Sequence, residues 1–332
     1  AAARPTGFAP SLTMPLQKIQ FAPGVDKEGT EYTADSGWFD SDKIRFRKGR
    51  PEKIGGWTKY TESSFLGVCR SVHAWASLAA VKYIGLGTNL KFYVVEGVKP
   101  NDITPLRVTT SAGDVTFSAS SGSSTVTVTD VNHGGAQNDF VTFSDAVSLG
   151  GTITAAVLNQ EYQIAALSTA NVYTIVAKDT SGDTVTANSS DSGNGGSAVV
   201  GAYQITTGLN TYVSGSGWGA DPWGDDSWGS SSALVVSGQL RLYSQDNFGE
   251  DLIFNVRNGG IYYWDQSSGL DTRGVNITSL GGASNCPTTA AQVLVSDNDQ
   301  HIIAFGSNTL GSAVQDPLLV RWSDQESAAD WT

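Results

Sequence analysis

The sequence predicts an all-β protein: a β-propeller, read as partial, interrupted by a small inserted β-sandwich. Three observations predict it. One layout recurs three times along the chain: an apolar strand, a turn, an aromatic strand and an acidic turn. Repeated hairpins of this kind bury their apolar faces by stacking radially on one another. A stretch dense in Thr, Ser, Val, Ala and Gly separates the first pass from the second, and its apolar residues alternate with a period of two. Few windows keep a helical apolar period; the weak exception, residues 68–80, is broken by Ser71, Val72 and Ser77 and runs into a β-rich segment.

Composition narrows the function classes. The 332 residues carry a formal net charge of -12, with 38 glycines. That length suits two modules, one interrupting the other. The acidic balance argues against a nucleic-acid reader that works by neutralising phosphates. It is compatible with a conduit, whose like-charged wall keeps a polyanion from sticking. No apolar run is long enough to span a membrane as a helix. Cys69 and Cys286 stand far apart, their spacing defines no pair, and both are read as reduced, buried thiols.

In chain order, residues 1–13 lack the charged start and apolar core of a signal peptide and are read as a leader or non-native extension. Met14 looks like a natural start. Residues 14–106 are expected to form N-terminal propeller blades. Within them, residues 43–53 (KIRFRKGRPEK) concentrate six basic residues. Ile44 and Phe46 alternate with Lys43, Arg45 and Arg47, which predicts a hairpin turning through residues 48–51 with one charged face. Arg45, Arg47, Lys48 and Arg50 are the candidates for docking on an acidic neighbour or for DNA contact, against the plainer reading of a solvated strand face.

The first pass of the repeat is residues 82–104. Tyr83, Ile84 and Leu86 lead to a turn at Thr88-Asn89, then Phe92 to Val95, then a polar turn through residues 99–102. Residues 107–207 are the expected inserted sandwich. Its strands are residues 115–118, 125–129, 140–143, 162–164, 172–176 and 183–186, with a flexible turn at residues 191–196. Residues 208–332 hold a Trp-Gly loop and further blades.

In the Trp-Gly loop, Trp218, Trp223 and Trp228 recur every five residues, each followed by Gly. They are candidates for contact with a glycan or a partner, because flat apolar rings stack on sugars and anchor interfaces. The plainer reading is a stiff crossover whose rings plug the blade ends. Asp221, Asp225 and Asp226, and likewise Asp297 to Asp299, lack the full calcium-loop spacing and are read as polar turns. The second pass is Leu252 to Phe254, a turn at Asn258-Gly259-Gly260, then Ile261 to Trp264, closed by Asp265. Asn-Gly between β-rich runs signals a hairpin in which Gly takes the positive φ. The third pass matches Ile302, Ile303 and Phe305 to Leu252–Phe254, and residues 319–322 to residues 261–264. The repeat aromatics are read as core packing. The chain ends inside the third pass, which predicts a piece of a longer protein.

Enzyme signatures are sparse. His73, His133 and His301 stand at no metal-ligand spacing, and no Walker loop, G-x-S-x-G or H-E-x-x-H is present. No catalytic residue, metal site or cofactor is assigned. A glycosidase needs only two carboxylates about 5–10 Å apart. Glu250, Asp251, Asp265, Asp297 and Asp299 are therefore weighed, with turn or surface roles preferred.

Four stretches carry a resemblance: the opening LQKIQFAPGVDKEGTEYTADSGWFDSDKIRFRKGRPEKIGGW, then FLGVCRSVHAW, DNFGEDLIFNVRNGGIYYWDQ, and the final RWSDQESAADWT. They resemble structural proteins of the tail tube and nozzle group of short-tailed, podovirus-like phages, including prophage and marine relatives. The resemblance covers nearly all of residues 14–332. It implies a propeller-based subunit of the virion tail, assembled in the host cytoplasm as a homo-oligomeric ring, commonly a hexamer. Such a ring surrounds the DNA exit channel, with other tail proteins as partners and DNA as transient cargo. The two rival readings are a glycan-cleaving hydrolase with a carboxylate pair in a propeller cleft, and a lectin-like module for a surface glycan centred on the Trp-Gly repeat.

Overall fold

The computed structural model describes residues 22–28, 30, 32, 37–211 and 240–331. The chain is nearly all β and divides into two compact units, Ala1–Tyr60 and Thr61–Thr332. Among the described residues, no helix is long and apolar enough to cross a membrane.

The described residues of the first unit form one hairpin, β1 (Ile44–Arg47) and β2 (Arg50–Lys53). Its two-residue loop, Lys48-Gly49, has positive φ at both positions (50° and 76°), the conformation that matches the twist of a tight hairpin. Ile44 and Phe46 are half-buried, while Arg45 and Arg47 are exposed. Phe46 lies beside Trp38 with ring centroids 6.4 Å apart.

The second unit begins with a four-stranded meander, β3 (Cys69–Ala76), β4 (Lys82–Thr88), β5 (Phe92–Glu96) and β6 (Lys99–Asp102), whose strands pair in chain order. The weakly helical window is therefore a strand. Residues 99–102, expected as a turn, are the fourth strand. Pro100 is tolerated there because β6 is an edge strand, where a missing N–H breaks no ladder.

Residues 106–204 build two further antiparallel sheets. Their elements are β7 (Leu106–Thr109), β8 (Thr116–Ala119), β9 (Thr125–Thr129), β10 (Phe140–Ser144), α1 (Ala155–Leu158), β11 (Glu161–Gln163), β12 (Ala166–Thr169), β13 (Val172–Val176), β14 (Asp191–Asn194) and β15 (Val200–Gln204). One sheet runs β11-β10-β15-β7 and the other β12-β13-β9-β8-β14. Alternate residues of both, among them Phe117, Val126, Val128, Val141, Phe143, Tyr173 and Ile175, meet in one buried cluster. The expected strand at residues 183–186 is only an isolated bridge, Lys178 to Thr184. Conversely, the expected flexible turn contributes β14, which pairs with β8 through a register shift. The single-turn helix α1 is capped by Thr154, whose side chain accepts from the Val157 N–H.

Two more sheets follow: β16 (Tyr243–Phe248), β17 (Asp251–Val256), β18 (Ile261–Trp264) and β19 (Val275–Asn276), then β20 (Gln292–Val295), β21 (Ile302–Phe305) and β22 (Val320–Trp322). Strand β17 explains why its sequence is a continuous apolar run rather than an alternating one. Leu252 and Phe254 enter the core shared with the first meander, where they meet Trp75, Tyr83, Phe92 and Trp264. Ile253 enters the core shared with the last sheet, beside Val293, Ile302 and Trp331. A strand covered on both faces has no solvent side to keep polar. At the β17–β18 turn the positive φ falls on Asn258 (57°) and not on the following glycine, because the turn closes one residue early through Gly259 N–H to the Val256 carbonyl.

Two expectations about buried side chains are corrected. Trp322 is 52 % exposed, and Trp331, fully buried, fills the last core instead. The neighbouring Arg321 turns inward and donates to the carbonyls of Asn285 and Asn308. Cys69 is exposed and Cys286 partly buried, both free. The first opens a strand on its outward face.

The first meander accepts the next sheet through glycine. A Cβ on Gly87 would stand 2.5 Å from the Tyr243 ring. Gly87→Ala is expected to destabilise the second unit by about 1–3 kcal/mol through overpacking, read as a lower denaturant midpoint at unchanged slope.

Candidate functional site

Strand β16 is wedged between two sheets, and its side chains alternate between them. On one face, the Gln245 side-chain oxygen accepts from the Ser71 hydroxyl and from the Val72 and His73 N–H groups (both 3.3 Å), and Asn247 meets His73 at 3.3 Å. On the other face, Ser244 Oγ accepts from the Val293 N–H at 2.8 Å, and the Asp246 carboxylate accepts from the Val295 N–H at 3.0 Å. A period of two thus fastens three sheets through one polar strand.

A second polar joint ties residues 106–204 to both flanking sheets. The Lys91 ammonium, whose side chain is 4 % exposed, contacts Asp102 at 2.7 Å and Glu161 more closely still. It also lies 4.6 Å from the Phe140 ring centre. Arg273 stands 3.6 Å from Asp102 and 3.7 Å from Glu161. Gln204 donates to the second Glu161 oxygen. Burial alone would push the Asp102 carboxyl up. The Lys91 and Arg273 charges, with hydrogen bonds from Lys91 and Thr104, outweigh burial and hold it below the usual carboxylate range.

Three of the five weighed carboxylates accept hydrogen bonds. Glu250 accepts from the Leu78 N–H at 2.7 Å. Asp251 accepts from Tyr263 and from the Gln266 N–H. Asp265 caps a short turn through Ser267 and Ser268, whose hydrogen bonds lower its carboxyl. Asp297 and Asp299 lie in the β20–β21 connection. Among the described residues, no three His, Cys, Asp or Glu side chains gather to hold a metal. One acid–base constellation is present inside residues 106–204. Tyr203 donates to Asp130 at 2.6 Å and meets the Tyr173 hydroxyl at 2.7 Å, with the His133 ring stacked beside Tyr203. All four are sealed from solvent, so no substrate reaches them. Burial raises the Asp130 carboxyl and lowers His133.

The basic hairpin presents Arg45, Arg47, Lys48 and Arg50 to solvent. Glu52, directly opposite Arg45, pairs with it at 3.4 Å. Arg47 and Arg50 face each other in register with like charge. Trp218, Trp223 and Trp228, together with Asp221, Asp225 and Asp226, lie outside the described residues.

A cleft of about 1260 Å³ lies in the second unit between residues 106–204 and the β16–β19 sheet. Sequence reasoning missed it. It gathers Arg107, Arg241, Arg257 and Arg273, and no Asp or Glu is among its described lining residues. Arg241 donates to the Thr206 carbonyl, with its stem lying on Gly208. Arg273 donates to the Thr104 carbonyl at 2.8 Å. The Arg107 guanidinium stands 6.0 Å from the Tyr203 ring centre. Leu209 and Leu240 pair at the rim.

No protein-family model matches the chain. No curated protein sequence matches it. Among solved structures, it is similar to the phage phi92 endosialidase at 14 % identity and a TM-score of 0.24, over 85 % of this chain. The chain spans 39 % of the length of that protein.

Proposed function

We propose that this chain is a structural component of a phage tail, of the nozzle or tail-tube kind, and acts by assembly rather than by turnover. The observation that carries this reading is the β16 wedge. Three sheets are fastened through one strand, and Glu250, Asp251 and Asp265, carboxylates that a hydrolase would need free, are held by hydrogen bonds. The four stretches resembling tail nozzle proteins support it from the sequence side. In this reading the meanders β3–β6, β16–β19 and β20–β22 are consecutive blades of a β-propeller, and residues 107–207 are a β-sandwich grafted between blades. Residues 14–106 and 208–332 supply the blades on either side, the latter starting with the Trp-Gly segment. Copies pack into a ring around the DNA exit channel of the virion, beside other tail proteins.

The basic hairpin is the docking element in this reading, and its register provides a clean test. Arg50→Glu creates an attractive pair with Arg47, so the hairpin stays folded. Docking on an acidic neighbour is nonetheless expected to weaken at least tenfold. Sedimentation and negative-stain microscopy of the chain should show closed rings for the wild type and mostly monomers for the variant. A wild type that stays monomeric at high concentration, together with virions whose tails are not labelled by an antibody to the chain, overturns the proposal. A glycan-cleaving reading requires a carboxylate pair facing a cleft, and the large cleft presents arginines instead.

A further inference from the structure

We propose that the arginine-lined cleft binds an acidic polysaccharide through its carboxylates, independently of ring assembly. The chain has 32 Asp and Glu against 20 Lys and Arg, yet this cleft concentrates four arginines with no acid among its described lining residues. Such a local reversal of charge is not what a solvated face of an acidic protein presents. The residue type is specific too. All four cations are arginine, whose planar fork grips a carboxylate with two parallel hydrogen bonds.

Two of the four are available, since Arg241 is held by the Thr206 carbonyl and Arg273 is occupied by Asp102 and Glu161. Arg107 and Arg257 form none of the ion pairs found among the described residues. Arg107 lies on an exposed stretch of β7, and Arg257 is exposed in the β17–β18 turn, so the forks approach the cleft from different elements. Single, separated forks suit a chain that carries one planar anion per residue. Dense tetrahedral anions draw several cations to one point.

The rest of the lining is uncharged, part polar and part apolar. Gln137 and Gln163 face it from one wall, Asn276, Thr278 and Ser279 from the other. Amides and hydroxyls of this kind pair with sugar hydroxyls. The volume, about 1260 Å³, exceeds the roughly 300–1,000 Å³ of an ordinary small-ligand site. It accommodates several sugar rings. Nucleic acid fits less well. The described lining has no lysine, and its one aromatic ring, Tyr262, is 8 % exposed, so no platform is available for base stacking.

The test is calorimetric titration of the chain with oligogalacturonate, with the same oligosaccharide methyl-esterified, and with single-stranded DNA. Binding of the acid form is expected to weaken as salt rises and to fall at least tenfold on esterification, which removes charge and leaves the sugar intact. The double variant Arg107→Gln, Arg257→Gln is expected to lose at least tenfold in affinity with an unchanged unfolding temperature, since both side chains are exposed. If that variant proves unstable, the ester comparison on the wild type decides. Equal binding of the ester, no binding of the acid form, binding of DNA alone, or full affinity in a folded double variant each overturns the proposal. A protein that forms no ring but binds oligogalacturonate leaves this inference standing and removes only the structural one.

Discussion

Replacing Phe254 with alanine is expected to lower the unfolding free energy of the second unit by about 3–5 kcal/mol. The side chain has no exposed surface. It stacks on Phe92 with centroids 4.0 Å apart and on Tyr262 at 5.4 Å. Its location decides the size of the effect. Phe254 points from β17 into the core shared by two sheets, so the void opens between rigid layers that cannot both close on it. Gly274, whose added Cβ would stand 2.9 Å from the ring, is packed against the same side chain. Chemical denaturation with tryptophan fluorescence measures the loss directly, because Trp75 and Trp264 line the same core. A loss below about 1 kcal/mol would mean that the first two sheets are not packed as described.

Lys91→Met is expected to cost about 1–3 kcal/mol, because it leaves the half-buried Asp102 and the more exposed Glu161 without their shared ammonium. The figure stays modest since Arg273 still faces both Asp102 and Glu161. A double-mutant cycle with Asp102→Asn should return a coupling above about 1 kcal/mol, the range for residues in one network. The pH dependence follows in sign. The Asp102 carboxyl is held below its ordinary value in the folded protein. Its contribution is therefore present above the unfolded value, about 3.9, and is lost as pH falls through the lowered folded one. Stability of the wild type should drop relative to Asp102→Asn across that acidic window, while the two run parallel near neutrality.

How much of this was legible in the sequence depended on what each residue does locally. Strands β9, β13 and β18 coincide with the runs read from sequence, because β-branched or aromatic residues there are bounded by turn formers. Strand β6 was hidden, since Lys99 to Asp102 is polar and contains proline, and only its edge position makes it a strand. The placement of tryptophans at the end of the chain was not legible either. Trp322 and Trp331 are equally apolar, and the choice rests on the Trp331 N–H donating to the distant Ser284 carbonyl. The basic hairpin was readable because its charges are contiguous. The arginine cleft was not, because its four cations come from separate segments of an otherwise acidic chain and meet only in the folded protein.

The two ends of residues 106–204 are hydrogen-bonded to each other: the Ile205 N–H donates to the Pro105 carbonyl at 3.0 Å. A detour whose ends already touch adds little closure entropy, because that cost rises only logarithmically with length. On the proposed reading of residues 107–207 as a graft, the flanking sheets are expected to tolerate a longer, shorter or different segment at this point without re-registering their strands. What such a replacement must supply is a carboxylate where Glu161 stands, or the buried ammonium of Lys91 keeps only Asp102 as its counter-charge. On that reading the junction is a socket with one electrostatic requirement, and diversity among relatives is expected to concentrate inside it.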